Sequence, residues 1–248
     1  MDKRCHKYTG SILRMTLLII FFYLYIVLLR INFIKEIIEN KAYVSLGWGW
    51  NQVFTALSDE RMLLIIPIEA VLPYAASFID EYKSGYMRFL LIRRSKRQYV
   101  LAKAIAVYIS GALTLGLGVF MSFIFSNIMF FGVENRGVEN LFLNSGSNLS
   151  VPVMIYMSLG GMYALLGLYL SVLTGDRFVS WAGPFTFEYI LRVFSKRFMK
   201  GIFVIDPGMW IDFSVQKNGI YILAWVLAVS VMLILLFVRS ALERLSNY

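Results

Sequence analysis

A chain of 248 residues with 59% hydrophobic and 16% charged side chains departs from soluble domains, which run at about 45–50% apolar and about 25% charged. The apolar residues are clustered: Ala104 to Phe131, Val151 to Thr174 and Gly219 to Val238 contain no Asp, Glu, Lys, Arg or His, and each reaches the roughly 20 residues that cross a hydrocarbon core of about 30 Å. The net charge of +9 sits in short segments between these runs, which argues against nucleic acid and places cationic loops against anionic headgroups or a soluble partner.

The N-terminal MDKRCHKYTG holds the chain's one cysteine, Cys5, and its one histidine, His6. A single cysteine excludes an intrachain disulfide, and this pair supplies too few ligands for a metal. The apolar stretch that follows continues through bulky Phe21, Tyr23, Tyr25 and Leu29 without a small-residue cleavage site, so it reads as an uncleaved first span over residues 13–34. Arg14 and Arg30 flank its uncharged centre and can snorkel to opposite interfaces. A polar segment, 35–60, carries Trp48 and Trp50, which suit the headgroup belt. A second span over 62–79 contains Pro67, Glu69 and Pro73.

The third span covers 104–131, and the Asn-, Gly- and Ser-rich stretch 132–150 is a loop. The fourth covers 151–174. A fifth, 178–194, is shorter and includes Pro184 and Glu188; the sixth, 219–238, is followed by a short polar tail. The fold class expected is therefore all-α: a polytopic integral membrane protein of six transmembrane helices, forming one domain over 1–248. Lys and Arg favour a multi-pass arrangement in the cell membrane with both termini cytoplasmic. Arg192, Lys196, Arg197, Lys200 and Lys217 then fall outside, which weakens the bias and leaves open a five-span chain in which span 5 does not cross.

The most informative segment is Asp80 to Lys103, DEYKSGYMRFLLIRRSKRQYVLAK. It mixes apolar Tyr86, Met87, Phe89, Leu90, Leu91 and Ile92 with basic Arg88, Arg93, Arg94, Lys96 and Arg97, as a short amphipathic helix on a cytoplasmic face would. Gly85 can supply the bend that leads into it.

Glu81, Gly85, Arg88, Leu91, Arg94, Ser95, Arg97, Tyr99 and Lys103 together resemble the corresponding segment of permease subunits of ABC type-2 exporters. Arg94 stands where many members carry Pro. The likeness extends more loosely to the basic N-terminus and six-span layout. It implies that the segment between spans 2 and 3 is a coupling helix that docks on a separate ATPase, with Glu81, Gly85, Tyr86, Arg88, Leu91, Arg93, Arg94, Ser95, Lys96 and Arg97 at the contact. It also implies a second permease copy or paralogue, ATP and Mg²⁺ held on the partner ATPase, and no cofactor or catalysis in this chain. Short re-entrant external helices between spans 5 and 6 would give Asp206, Pro207 and Gly208 a turn at their tip.

The Gly111 to Gly116 spacing matches the opening of a P-loop, but no Lys follows. Gly160, Ala164, Gly167 and Ser171 place small side chains on one face of span 4, which lets helix backbones approach in lipid. Glu69 and Glu188 are the intramembrane carboxyls, each needing a proton, a partner or water. Neither H-E-x-x-H nor G-x-S-x-G occurs, which argues against an intramembrane hydrolase. The function expected is that of a membrane permease subunit of an ATP-driven exporter working by alternating access. The alternative is a non-transporting assembly or sensory protein that docks a cytoplasmic partner.

Overall fold

The computed structural model describes residues 53, 55–59, 61–92, 95–130, 150–198, 206–211 and 219–246, with the isolated positions 20, 24, 28, 35, 44–45, 134–135 and 204. Among them the architecture is a bundle of helices. In chain order these are α1 (Met62–Val71), α2 (Ser77–Lys83), α3 (Tyr86–Leu91), α4 (Lys96–Phe130), α5 (Ser150–Thr174), α6 (Arg177–Phe198), α7 (Pro207–Ile211) and α8 (Gly219–Ser246). The one sheet among the described residues is a two-residue parallel pairing of Val44–Ser45 (β1) with Glu134–Asn135 (β2).

Three of these helices are long and apolar enough to cross a membrane: Lys96–Ile128 within α4, Val151–Thr174 within α5, and α8. Of predicted span 1, only Ile20, Leu24 and Leu28 are described; each is helical and exposed, and the rest lies outside the described residues. Predicted span 2 is two helices rather than one. Pro73 has no N–H to offer and its ring crowds the carbonyl four residues back, so α1 ends at Val71 and a turn leads into α2. Predicted span 5 is a longer helix, α6, whose Ser, Glu, Arg and Lys content keeps it outside the three apolar spans. Predicted span 3 is extended at its start by two turns, to Lys96.

At the centre stands α5, packed most extensively on α4 and α8 and also against α6 and α1. Small residues let it do so. A Cβ on Gly160 would lie 2.5 Å from the Gly111 carbonyl oxygen of α4, and one on Gly111 would lie 2.6 Å from Ala164 Cβ. The stripe of small residues is shared between neighbours. Gly160 and Ala164 meet α4, whereas Gly167 faces the Ser180 carbonyl of α6 and Val71 and Ala75 beside the α1 break. Ser171 is buried and donates to the Leu168 carbonyl at 2.7 Å.

The outer surface is apolar where a soluble protein's would be polar. In α8 the buried positions Ile222, Val226, Ser230, Leu233, Phe237 and Ala241 recur every three or four residues, yet Ile220, Tyr221, Val231, Met232 and Leu235 on the other face are exposed. A contiguous exposed apolar face of that extent marks lipid or a partner. Hydroxyls within the apolar helices are satisfied locally: Thr114, Ser122 and Ser230 each donate to the carbonyl four residues back at 2.8 Å.

Candidate functional site

One end of the bundle collects the end of α2, α3, the start of α4, the α5–α6 turn and the end of α8. After α2, Gly85 adopts φ 70°, a left-handed conformation that L side chains pay for in strain, and the chain reverses into α3. Met87 points into the core and is fully buried, which pins the helix to the bundle. Its outer face carries Tyr86, Arg88 and Phe89, with Ile92 just beyond; Phe89 is 71% and Ile92 81% exposed. Ser95 then opens α4 as its cap, accepting from the Gln98 N–H at 3.4 Å. Ser95, Lys96 and Arg97 are exposed, Leu91 is half-buried, and Arg93 and Arg94 lie outside the described residues.

Glu81 is not on this outer surface. Its carboxylate points into the bundle, where it accepts from the Lys103 ammonium at 2.8 Å and from the Tyr99 hydroxyl. The two charged side chains are only 12% and 5% exposed. Lys103 also lies 4.5 Å from the Tyr74 ring centroid and donates to its hydroxyl at 3.3 Å. Glu81, expected at a partner contact, belongs instead in this structure to a buried clamp that ties α2 to α4 immediately behind the exposed element.

Lys96 is also committed in part, since its ammonium donates to the Leu245 carbonyl of α8 at 2.8 Å. Nearby, the Arg244 guanidinium donates to the Val172 carbonyl and lies 5.2 Å from the Tyr82 ring centroid. Gly175, with φ 72°, turns the chain there; its left-handed backbone favours glycine, and a Cβ would displace the Arg244 guanidinium, whose Nη2 would sit 2.5 Å away. Asp80 and Arg177 add a looser pair at 3.7 Å across α2 and α6. This end is thus basic and apolar outside and cross-tied within.

The two carboxyls predicted to lie within spans are buried elsewhere in the bundle. Glu188 of α6 is fully buried and accepts a hydrogen bond from the Tyr163 hydroxyl of α5. Glu69 of α1 is 2% exposed, and its Oε1 has no hydrogen-bond partner. With Glu188 on the inward face of α6 are Ser180, Pro184 and Ser195, whereas Phe187, Ile190, Phe194 and Phe198 face out. The outward face is largely apolar until the last turn, where Lys196 and Arg197 are exposed. At the opposite end of the bundle Asp206 caps α7, accepting from the Gly208 N–H at 3.0 Å, with Pro207 as the first helical residue. The predicted turn at Asp206, Pro207 and Gly208 is instead a helix start, with Trp210 and Ile211 buried.

Sequence reasoning passed over Tyr74, Tyr163 and Arg244 as functional partners. The usable signal was Lys103, a cation one turn inside an apolar run, because a buried ammonium demands an anion. Its partner lies 22 residues away, a separation that no helical periodicity encodes.

These features define a helical membrane protein with a polar interior seam and a basic, exposed end. The chain belongs to the DUF2705 family, described as a protein of unknown function, which it matches over residues 45–240. It is similar to the uncharacterized protein YybM of Bacillus subtilis strain 168, at 22% identity over 195 residues and 74% of each chain. No solved structure matches it.

Proposed function

We propose that this chain is the membrane permease subunit of an ATP-binding-cassette exporter, with α3 as the coupling helix that seats on a cytoplasmic ATPase. The observation that carries the reading is the build of that element. An exposed apolar and basic face on α3 is held rigid from behind by buried Met87 and by the Glu81–Lys103–Tyr99 clamp. A loop that only met lipid headgroups would need the charges but not the clamp.

In this reading α4, α5 and α8 are spans 3, 4 and 6, while the α1–α2 pair and α6 are spans 2 and 5. Residues 13–34 supply the first of six, and both termini are cytoplasmic. Two copies, or this chain and a paralogue, enclose the path. ATP and Mg²⁺ act on the partner ATPase, whose closure pushes on α3. The clamp passes that displacement to α4 and the Lys96–Leu245 bond passes it to α8, so the two spans shift together between inward- and outward-facing arrangements.

The test is to extract the tagged chain gently from its native membrane and identify what copurifies. A P-loop ATPase in about equal amount, lost on Phe89→Asp or on joint replacement of Arg93, Arg94 and Arg97 by Glu, supports the exporter reading. An intact chain that brings down no ATPase overturns it and favours the assembly or sensory alternative.

A further inference from the structure

The end of the bundle away from the basic face is closed by two pieces that are not among the membrane-length helices. One is the helical Val53, Ala56 and Leu57 with Ser58 just after them; the other is the five-residue α7. Both are set deep in the bundle, with Val53, Ala56, Leu57, Trp210 and Ile211 at most 5% exposed. The Ser58 hydroxyl joins the two by donating to the Ile211 carbonyl at 3.2 Å. The Tyr156 hydroxyl of α5 ties the first piece down, donating to the Leu57 carbonyl at 2.6 Å.

The second piece, α7, packs on both α5 and α6, and the seam between those two helices is polar. Tyr163, two turns from Tyr156 on the same face of α5, donates to Glu188. Asp206, which caps α7, is close enough for its charge to act on Glu188. Glu188 and Ser195 share the inward face of α6, with Ser195 two turns nearer the closed end. Both are fully buried, and Glu188 Oε1 and Ser195 Oγ have no hydrogen-bond partner among the described residues. Buried oxygens in that state call for water. Toward the basic end the seam is shut by close packing. A Cβ on Gly167 would lie 2.6 Å from the Ser180 carbonyl oxygen, and one on Gly183 would lie 2.5 Å from Leu170 Cδ1.

We propose that Leu57, Ser58 and α7 form a lid over the α5–α6 seam, and that its opening admits water to Ser195 and Glu188. Short elements held by single hydrogen bonds open locally while the spans stay folded. With the other end packed shut, the Glu188 carboxyl meets solvent from one side of the bundle only. The lid goes beyond the exporter reading and does not rest on it, since it needs no ATPase and no transported substrate.

The experiment measures how fast a small charged thiol reagent, a methanethiosulfonate carrying a trimethylammonium group, reacts with a cysteine placed in the purified full chain. Ser195→Cys reports on the seam, and Ser230→Cys, buried in α8, reports on the rest of the bundle; each carries Cys5→Ser, so no other thiol remains. Adding Tyr156→Phe, which releases the Leu57 carbonyl, is expected to speed the reaction at position 195 about tenfold and to leave position 230 unchanged. Ser58→Ala, a milder change at the other bond, should speed it about threefold. One rate at position 195 with and without either bond overturns the lid, and so does a cysteine there that never reacts. Equal acceleration at both positions overturns it as well, because the loosening is then global. None of these results bears on whether an ATPase copurifies.

Discussion

Lys103 holds together three side chains at the basic end: the Glu81 carboxylate, the Tyr74 ring and, through Glu81, the Tyr99 hydroxyl. Breaking a buried pair by removing one member leaves an uncompensated charge, at a cost of about 3–5 kcal/mol. Lys103→Met should therefore destabilise strongly in denaturant or thermal unfolding. Lys103→Met with Glu81→Met should recover most of that loss, because two apolar side chains replace the pair without stranding a charge. Additive losses in the double mutant would show that the two side chains do not act as a pair. Tyr163→Phe belongs to the same scale. It removes the donor to Glu188 and should cost about 1–3 kcal/mol, read in the same assay. At this scale the sequence marked Glu69 and Glu188, because a carboxyl in an apolar run has few innocuous explanations. It did not mark Tyr163, since an aromatic residue within a span is ordinary.

Among the elements, α6 and α3 present opposite problems. The inward face of α6 carries Ser180, Glu188 and Ser195 and its outward face is largely apolar before Lys196 and Arg197 in the last turn, a distribution that is costly in water and favourable in lipid. A lipid-soluble carbene precursor should therefore label Phe187, Ile190, Phe194 and Phe198 and spare Ser180 and Glu188, as read by mass spectrometry of the digested chain. Labelling confined to α4, α5 and α8 would mean that α6 is covered by protein or lies outside the bilayer. For α3, Gly85→Ala puts a Cβ on a left-handed residue with nothing within 4 Å, so the effect is conformational strain of about 1–2 kcal/mol rather than a clash. Gly160→Leu is the converse case: its Cβ alone would lie 2.5 Å from the Gly111 carbonyl oxygen, and the larger side chain should prevent α4 and α5 from packing. Helix existence was legible from apolar run length. The break in span 2 was less so, because the sequence presents two prolines and the helix continues through Pro67 while ending before Pro73.

Across the whole molecule, the described spans are tied to one another at the basic end, and the segments beside them are tied at the other. The Arg244–Val172 and Lys96–Leu245 contacts close the basic end; Tyr156 donating to the Leu57 carbonyl at 2.6 Å and Ser58 donating to the Ile211 carbonyl at 3.2 Å close the other. Composition and clustering were enough to place the chain in a membrane. The central position of α5 was not legible, because its apolar run resembles those of α4 and α8 and only the placement of its glycines distinguishes it. The long-range pairs at the basic end were equally hidden, since each joins residues on different helices.

Helix length carries a consequence of its own. At about 1.5 Å per residue, α4 with 35 residues and α8 with 28 extend roughly 52 Å and 42 Å, against a hydrocarbon thickness of about 30 Å. Neither can stand upright with its whole length immersed, so each must tilt, protrude or thicken the surrounding bilayer. Tilt is shared, because the ties at the basic end and the packing of α4 and α8 on α5 prevent one rod from leaning without the others. Acyl-chain length therefore acts on the inclination of the assembly as a whole, and reconstitution into short-chain and long-chain phospholipids should shift the unfolding midpoint without any change in protein sequence.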